Sequence, residues 1–465
     1  MSYAVANAAS KQAVRLTAAQ SIAIGGQFWL DPIRCMDKYY RRYGAAIAIE
    51  GRRRNGVVDI PVIFLVGPEF NRAVLTSTDY VRPSGLWNVA GAPGSAQSDI
   101  HDSYLSTHGD EHAAVSQLAV PHLRKSRVEQ HFNALKAIVL EEIETWPVRQ
   151  KIDLYGRIRE MAQRASFTLL FGDSDIARGR NCGKLLADYH DANWSTSAHV
   201  LPFSVPGSRY QEVQRRADHL RSFLVDWVAE RRGCPVDQDL RASFANKTDT
   251  SGHHLRAGRI AGYFSFLAFA SYETMSSALT WTLLQLAQNQ DAVGPLRDEI
   301  AASAGVADIS RDELVRLPNL DGVLNESMRL IPPTPYIALS VLKPWEIAGC
   351  RLRKGTEIII SPHLTHRLPE IYADPNAFRP GRWQTISPGP YEFLPFSGGP
   401  RRCPGAQFGT DFMKLALTAL IQRYDVSIRP GGKAKGRFTG ITMPRSDIPV
   451  MLTPVAPSAR QHRAA

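Results

Sequence analysis

The sequence predicts a mainly α-helical protein with small β-sheets near both ends of the chain (α+β), and three observations lead there. Apolar residues recur at helical spacing through most of residues 128–240. A single apolar pattern without internal proline runs over about 255–290. Strand-like runs are short, as in VVDIPVIFLVG at 57–67, WEIAG at 345–349 and EIIIS at 357–361.

Taken in order, residues 83–109 are rich in Gly and Ser with little periodicity and read as a long loop. The 255–290 helix has Gly262 as its weak point and is apolar on nearly all sides, as a helix buried in a large core is. Glu273 and its Ser and Thr neighbours argue against a membrane span. Leu320, Val323, Leu324 and Met328 share one face of another helix, which stops before Pro332 and Pro333. A proline-rich irregular stretch covers 369–395, a last helix follows Cys403, and the tail at 437–452 reads as a hairpin. One domain is expected over 1–465, with an extended segment at 1–30 and a disordered tail at 458–465.

The formal charge is +11, from 55 Lys and Arg against 44 Asp and Glu. The basic residues are scattered in short clusters at 51–54, 124–127 and 231–232. Such clusters are mostly solvated surface, so no nucleic-acid partner is expected, whereas docking of a small acidic protein fits. The cysteines, Cys35, Cys182, Cys234, Cys350 and Cys403, form no CxxC and are odd in number, so neither a zinc site nor a disulfide framework is suggested. The N-terminal residues lack an apolar h-region and are too polar for a membrane anchor. A cytoplasmic protein is expected.

Chemistry concentrates in FSGGPRRCPG at 396–405. Cys403 lies in a polar loop stiffened by Pro400 and Pro404, follows two arginines and precedes a helix start, all features that favour a thiolate. Gly398, Gly399 and Gly405 let the backbone turn sharply and approach a bulky ligand. A rigid loop with one thiolate suits a metal with a single axial protein ligand, such as haem iron.

The loop resembles the haem-ligand signature of the cytochrome P450 family, F-x-x-G-x-R-x-C-x-G, at Phe396, Gly399, Arg401, Cys403 and Gly405. The resemblance implies haem b as cofactor, Cys403 as its metal ligand, Phe396 packed on the loop and Arg401 on a haem propionate. NESMRL matches the family's E-x-x-R, and FRPGRW at 378–383 its F-x-P-x-R-[FW]. A buried structural cluster of Glu326, Arg329 and Arg382 is therefore implied. ASYETM, midway along the long helix, is similar to [AG]-G-x-[DE]-T-[TS], so Glu273 and Thr274 are implied in proton delivery to dioxygen. The plainer reading has Thr274 bonded to a carbonyl one turn back and Glu273 reaching water or an arginine.

The chain also departs from the pattern. Ser271 replaces the usual glycine and Met275 the usual alcohol. His112 matches a propionate-binding histidine, but an arginine often found one turn later is Ser116, and another is missing near Leu339 and Ser340. Arg401 and His112, helped by Arg124 or Gln117, are expected to take their place.

The resemblance implies a haem-dependent monooxygenase that oxidises a mostly apolar small molecule, such as a terpenoid, steroid, fatty or other natural product. No G-x-G-x-x-G fingerprint or flavin domain is visible, so NAD(P)H would act indirectly, through a ferredoxin or flavodoxin with its reductase. Arg124, Lys125, Arg127 and Arg402 are docking candidates. The pocket is expected to include Trp87, Phe266, Ala270, Tyr336, Ile441 and Met443, with Tyr272 as a further polar handle. A peroxide-using peroxygenase or isomerase and a non-catalytic haem sensor are the alternatives.

Overall fold

The computed structural model describes residues 12–455 apart from 18–19, 21–23, 25–26, 29–30, 52, 55–56, 59, 85–88, 90, 174, 249–252, 304, 429–435, 439, 445–447 and 449. The expectations for 1–11 and 458–465, and for Trp87, lie outside the described residues.

Helices dominate. Those that shape the site are α1 (Pro32–Tyr43), α2 (Pro68–Thr76), α3 (Ala96–His101), α4 (Gly109–Ala119), α5 (Phe132–Glu144), α6 (Leu154–Leu169), α7 (Ile176–Asn193), α8 (Arg209–Ala229), α9 (Ala257–Gln288), α10 (Pro318–Leu330) and α11 (Ala406–Arg423). The strands used below are β1 (Val14–Leu16), β2 (Ala46–Ile49), β3 (Val62–Leu65), β4 (Val81–Pro83), β5 (Lys151–Ile152), β6 (Ile337–Val341), β7 (Glu357–Ile360), β8 (Tyr424–Ile428), β9 (Gly436–Phe438), β10 (Thr442–Pro444) and β11 (Val450–Pro454).

A six-stranded mixed sheet runs in the order β1-β2-β3-β7-β6-β4. Its centre joins the two ends of the chain, since β7 lies parallel to β3 with Ile358 opposite Ile63. The tail is only partly the expected hairpin. β9 and β10 pair with each other, but β11 leaves them to pair antiparallel with β8 and β5. Val450 and Leu452 are thereby buried instead of facing water.

The expected loop at 83–109 contains α3, capped by the Ser95 side chain on the Ser98 amide. Its register comes from contact with α9. A Cβ on Gly262 would stand 2.3 Å from the Asp102 carbonyl oxygen and 2.4 Å from that of Asp99. The weak point of the long helix is thus the place where another backbone rests on it. α9 spans 32 residues through the largest apolar cluster and packs on α6, α8, α10 and α11, as expected for a central helix. Among the described residues, no helix is long and apolar enough to cross a membrane.

Candidate active site

Residues 396–405 form a closed loop at the start of α11. The Cys403 amide donates to the Phe396 carbonyl at 2.9 Å, and the Arg402 amide to that of Gly399 at 3.1 Å. Gly399 has φ +67°, and a Cβ there would meet the Leu75 carbonyl oxygen of α2 at 2.4 Å, so both turn and packing require glycine. Gly405 has no such strain; an added Cβ would lie 3.9 Å from Cys403 Sγ. Phe396 packs against the main core. Cys403 is exposed, whereas Cys35, Cys182 and Cys350 are buried. Surrounding protein nevertheless pushes its thiol above the ordinary value, against the Gly405 amide and the Arg402 charge, which pull it down. An exposed residue whose sulfur is closely surrounded by protein reads as the floor of a recess.

One edge of the recess is polar. Arg401 Nη2 donates to the Thr107 carbonyl. His112, on α4, lies 3.2 Å from Thr107 Oγ1 through Nδ1 and 3.3 Å from Ser116 Oγ through Nε2. Burial and then the Arg401 charge hold its imidazole below the ordinary histidine range, which favours the neutral form. Tyr104 bonds Ser116 at 3.1 Å and stacks on Phe266 of α9 at 6.3 Å between ring centroids. Arg401 and His112 are thus brought together. Gln117 and Arg124 are exposed and not part of this cluster, and Leu339 is buried in an apolar core of the large sheet.

On α9, Phe266, Ala270 and Thr274 recur every four residues and keep partial exposure within a buried run. An added Cβ on Gly409 of α11 would lie 4.0 Å from Met275, so this turn of α9 adjoins the helix that the cysteine loop opens. The Thr274 hydroxyl donates to the Ala270 carbonyl at 3.2 Å, and that of Ser271 to Ala268 at 2.8 Å. Glu273 is 1 % exposed and turns towards α6. There it accepts from Arg159 Nε at 2.8 Å and from the Tyr155 hydroxyl. Burial, then the Glu273 charge, pushes the Tyr155 phenol well above its ordinary value.

The β9–β10 hairpin is stapled to α9 one and two turns beyond Thr274. Ser277 Oγ donates to the Thr442 carbonyl at 2.6 Å and Trp281 Nε1 at 2.9 Å. Ile441 and Met443 therefore belong to the same apolar cluster as α9. Trp194, at the end of α7, lies under the hairpin tip, where Gly440 has φ +79° and its Cβ would meet the indole at 2.6 Å.

The profile of the cytochrome P450 family matches residues 26–451. The chain belongs to the cytochrome P450 family. It is 28 % identical over 371 residues to cytochrome P450 139 of Mycobacterium bovis, covering 77 % of this chain and 84 % of the relative. It is 28 % identical over 319 residues to sterol 14alpha-demethylase of the same organism, covering 65 % and 69 %. The structure of a retinoic acid-bound cyanobacterial CYP120A1 superposes with a TM-score of 0.75 at 24 % identity, over 90 % of this chain and 94 % of that one. The enzyme is accordingly a haem-thiolate P450 monooxygenase.

The residues present fit haem. The recess offers a thiol on its floor, a partly exposed stripe of α9 and one polar edge holding a guanidinium, as a flat apolar macrocycle with carboxylates at one rim requires. Behind the loop, the expected cluster is assembled. Glu326 accepts from Arg329 Nε at 2.8 Å and Nη2 at 2.9 Å, and from Arg382 Nε at 3.0 Å.

Two pocket expectations need correction. Tyr336 is buried in an apolar cluster with Phe28 and Phe438 that also takes in Cys35 and Met36 of α1. Tyr272 is fully buried on another face of α9, with Arg159 5.6 Å over its ring, so it offers no handle to the Phe266 stripe. Sequence reasoning missed Tyr104, Tyr155, Arg159 and Trp194, and it placed Trp383 in the FRPGRW match without its hydrogen bond to Glu326. An acid on a buried helix does announce that donors exist, but their identity depends on which helix packs against it.

Proposed function

We propose that Cys403 is the axial ligand of haem b in this P450, and that one atom of dioxygen enters a mostly apolar terpenoid, steroid, fatty or other natural product. The observation that carries the reading is the exposed Cys403 at the head of α11, which adjoins α9 at Met275, on the same helix as the partly exposed Phe266, Ala270 and Thr274. Bound there, thiolate-ligated haem supplies the iron chemistry that favours O–O cleavage.

The remaining work falls to this chain. Thr274 donates to Ala270, which leaves its oxygen lone pairs to hold a water over the recess. Tyr155 and Arg159 orient Glu273, and Arg159, 28 % exposed in its side chain, connects that carboxylate to the solvent side of α6. Phe266, Ala270, Ile441 and Met443 exclude water around an apolar substrate, with Trp194 closing the hairpin side. The relative named sterol 14alpha-demethylase supports a substrate of that character.

Electrons come one at a time from an acidic ferredoxin or flavodoxin, reduced by NAD(P)H through its reductase. Arg124, Lys125 and Arg402 are exposed near the loop or α4 and form the docking face. Arg127 donates to the Gln238 carbonyl at 2.7 Å and contributes less. The free cysteines accord with a cytoplasmic setting.

The test is a carbon-monoxide difference spectrum of the reduced protein. The red-shifted Soret band of a thiolate-ligated haem is expected, and Cys403→Ala should abolish it; a purified protein without haem refutes the proposal. Reduction by ferredoxin should slow with salt and with Lys125→Glu and Arg402→Glu. Turnover with peroxide but none with the electron-transfer proteins would assign a peroxygenase instead. Ligand binding without turnover under either regime would assign a sensor.

A further inference from the structure

We propose that the Tyr104 hydroxyl, positioned by Ser116 and His112, takes the place of the missing arginines and holds a haem carboxylate at the edge that Arg401 shares. The inference rests on the haem reading above and concerns how this chain grips the group. Of the two positions where arginine is absent, Leu339 is 6 % exposed within an apolar cluster and can offer nothing. Ser116, by contrast, is a junction between two other polar side chains.

The hydrogens in this cluster can be assigned in sequence. Thr107 Oγ1 donates its single hydrogen to the Tyr104 carbonyl at 2.7 Å. It can therefore only accept from His112, which fixes the imidazole hydrogen on Nδ1. Nε2 is left as an acceptor, so Ser116 donates to it. Ser116 Oγ in turn accepts from the Tyr104 hydroxyl. Every member except Tyr104 is committed to a partner whose own geometry depends on it. The Tyr104 hydrogen alone can swing away without breaking another link, because Ser116 still donates to His112. Exchanging a neutral serine oxygen for a carboxylate oxygen replaces an ordinary hydrogen bond with a charge-assisted one.

Two observations specify the ligand's class. The Tyr104 ring stacks on Phe266, whose α9 face is the apolar side of the recess, and Arg401 reaches Thr107 in the same cluster. A ligand here has an apolar body along α9 and an anionic rim between Arg401 and Tyr104, which describes a haem propionate. Ser116 and His112 position the phenol; they do not themselves bind the carboxylate. The edge thus relies on one guanidinium and one phenol where the family pattern places additional arginines.

Haem transfer from the ferric holoenzyme to excess apomyoglobin tests the proposal, with the wild-type carbon-monoxide spectrum recorded first. Tyr104→Phe keeps the ring and removes the hydroxyl; it should speed haem loss by about tenfold to a hundredfold, the effect of one charge-assisted hydrogen bond. Ser116→Arg should slow haem loss and, combined with Tyr104→Phe, restore a rate near the wild type. Protein reconstituted with the iron protoporphyrin dimethyl ester has no carboxylate to hold, so wild type and Tyr104→Phe should then lose the group at equal rates. Equal rates with ordinary haem overturn the proposal. A Tyr104→Phe effect that persists with the ester also overturns it, since the phenol would then act through the fold. A wild-type protein without the thiolate-type spectrum fails earlier, at the haem reading itself.

Discussion

Glu326→Gln preserves the size and shape of the side chain while removing one charge from the centre of the cluster behind the cysteine loop. Oε1 accepts three hydrogen bonds, from Arg329 Nη2, Arg379 N and Arg382 Nε. Oε2 accepts two, from Arg329 Nε and Trp383 Nε1. An amide placed in either orientation sets its NH2 group against at least two of these donors. Two lost hydrogen bonds to a charged group amount to ~3–6 kcal/mol. Removing one partner of a buried ion pair typically costs ~3–5 kcal/mol. Arg329 keeps the carbonyls of His366, Pro375 and Ala377, which favours the lower end of these ranges. Arg382→Met leaves Glu326 with four donors and should cost less, about 1–2 kcal/mol.

The damage should also reach the metal ligand. Trp383 packs on Phe393 at 4.5 Å, and the Leu394 amide donates to His366 Nε2 at 2.8 Å, two residues before Phe396. Urea unfolding followed by tryptophan fluorescence checks the order of stabilities, and the carbon-monoxide spectrum checks the loop. If Glu326→Gln unfolds within about 1 kcal/mol of the wild type, or more easily tolerated than Arg382→Met, the assignment of this carboxylate as the keystone fails.

Thr274→Ala removes one hydrogen bond to Ala270 and should change stability by only ~1 kcal/mol, yet lower product formed per electron pair by about tenfold or more. Unchanged coupling of NAD(P)H to product would refute a role in proton handling. Gly262→Ala would gain ~1 kcal/mol in an ordinary helix interior, but here the added carbon meets two backbone carbonyls of the α3 turn. A net loss of about 1–3 kcal/mol in urea titration is expected instead. His190 packs between Trp194 and Phe269 with both ring nitrogens buried, and burial then the Arg159 charge lower its pKa to about 3. The unfolded chain thus binds the proton first, and stability falls as pH drops below the ordinary histidine value. At pH 5 the penalty is ~2 kcal/mol. His190→Phe should remove that part of the acid sensitivity, which stability curves at pH 7 and pH 5 would reveal.

The sequence by itself determined the mainly helical class, the central helix and the cysteine loop, because each is a local matter. Helical periodicity, the prolines that end α10 and the glycines around Cys403 act within a few residues of themselves. The same holds for Glu326 and Arg329, which share a helix face at fixed spacing. Tertiary structure decided what each long-range partner is. Glu273 needed donors wherever it went, but only the packing of α6 on α9 selected Tyr155 and Arg159. Tyr336 and Tyr272 looked like pocket residues by position and were claimed by apolar packing elsewhere. The 83–109 stretch looked unstructured because α3 is too short to show a period, and contact with Gly262 fixes it in place. Ser116 stood out as a missing charge, and the fold gave it Tyr104 as a partner from twelve residues earlier. Side-chain chemistry states what a residue requires, and only the three-dimensional arrangement determines which residue meets the requirement.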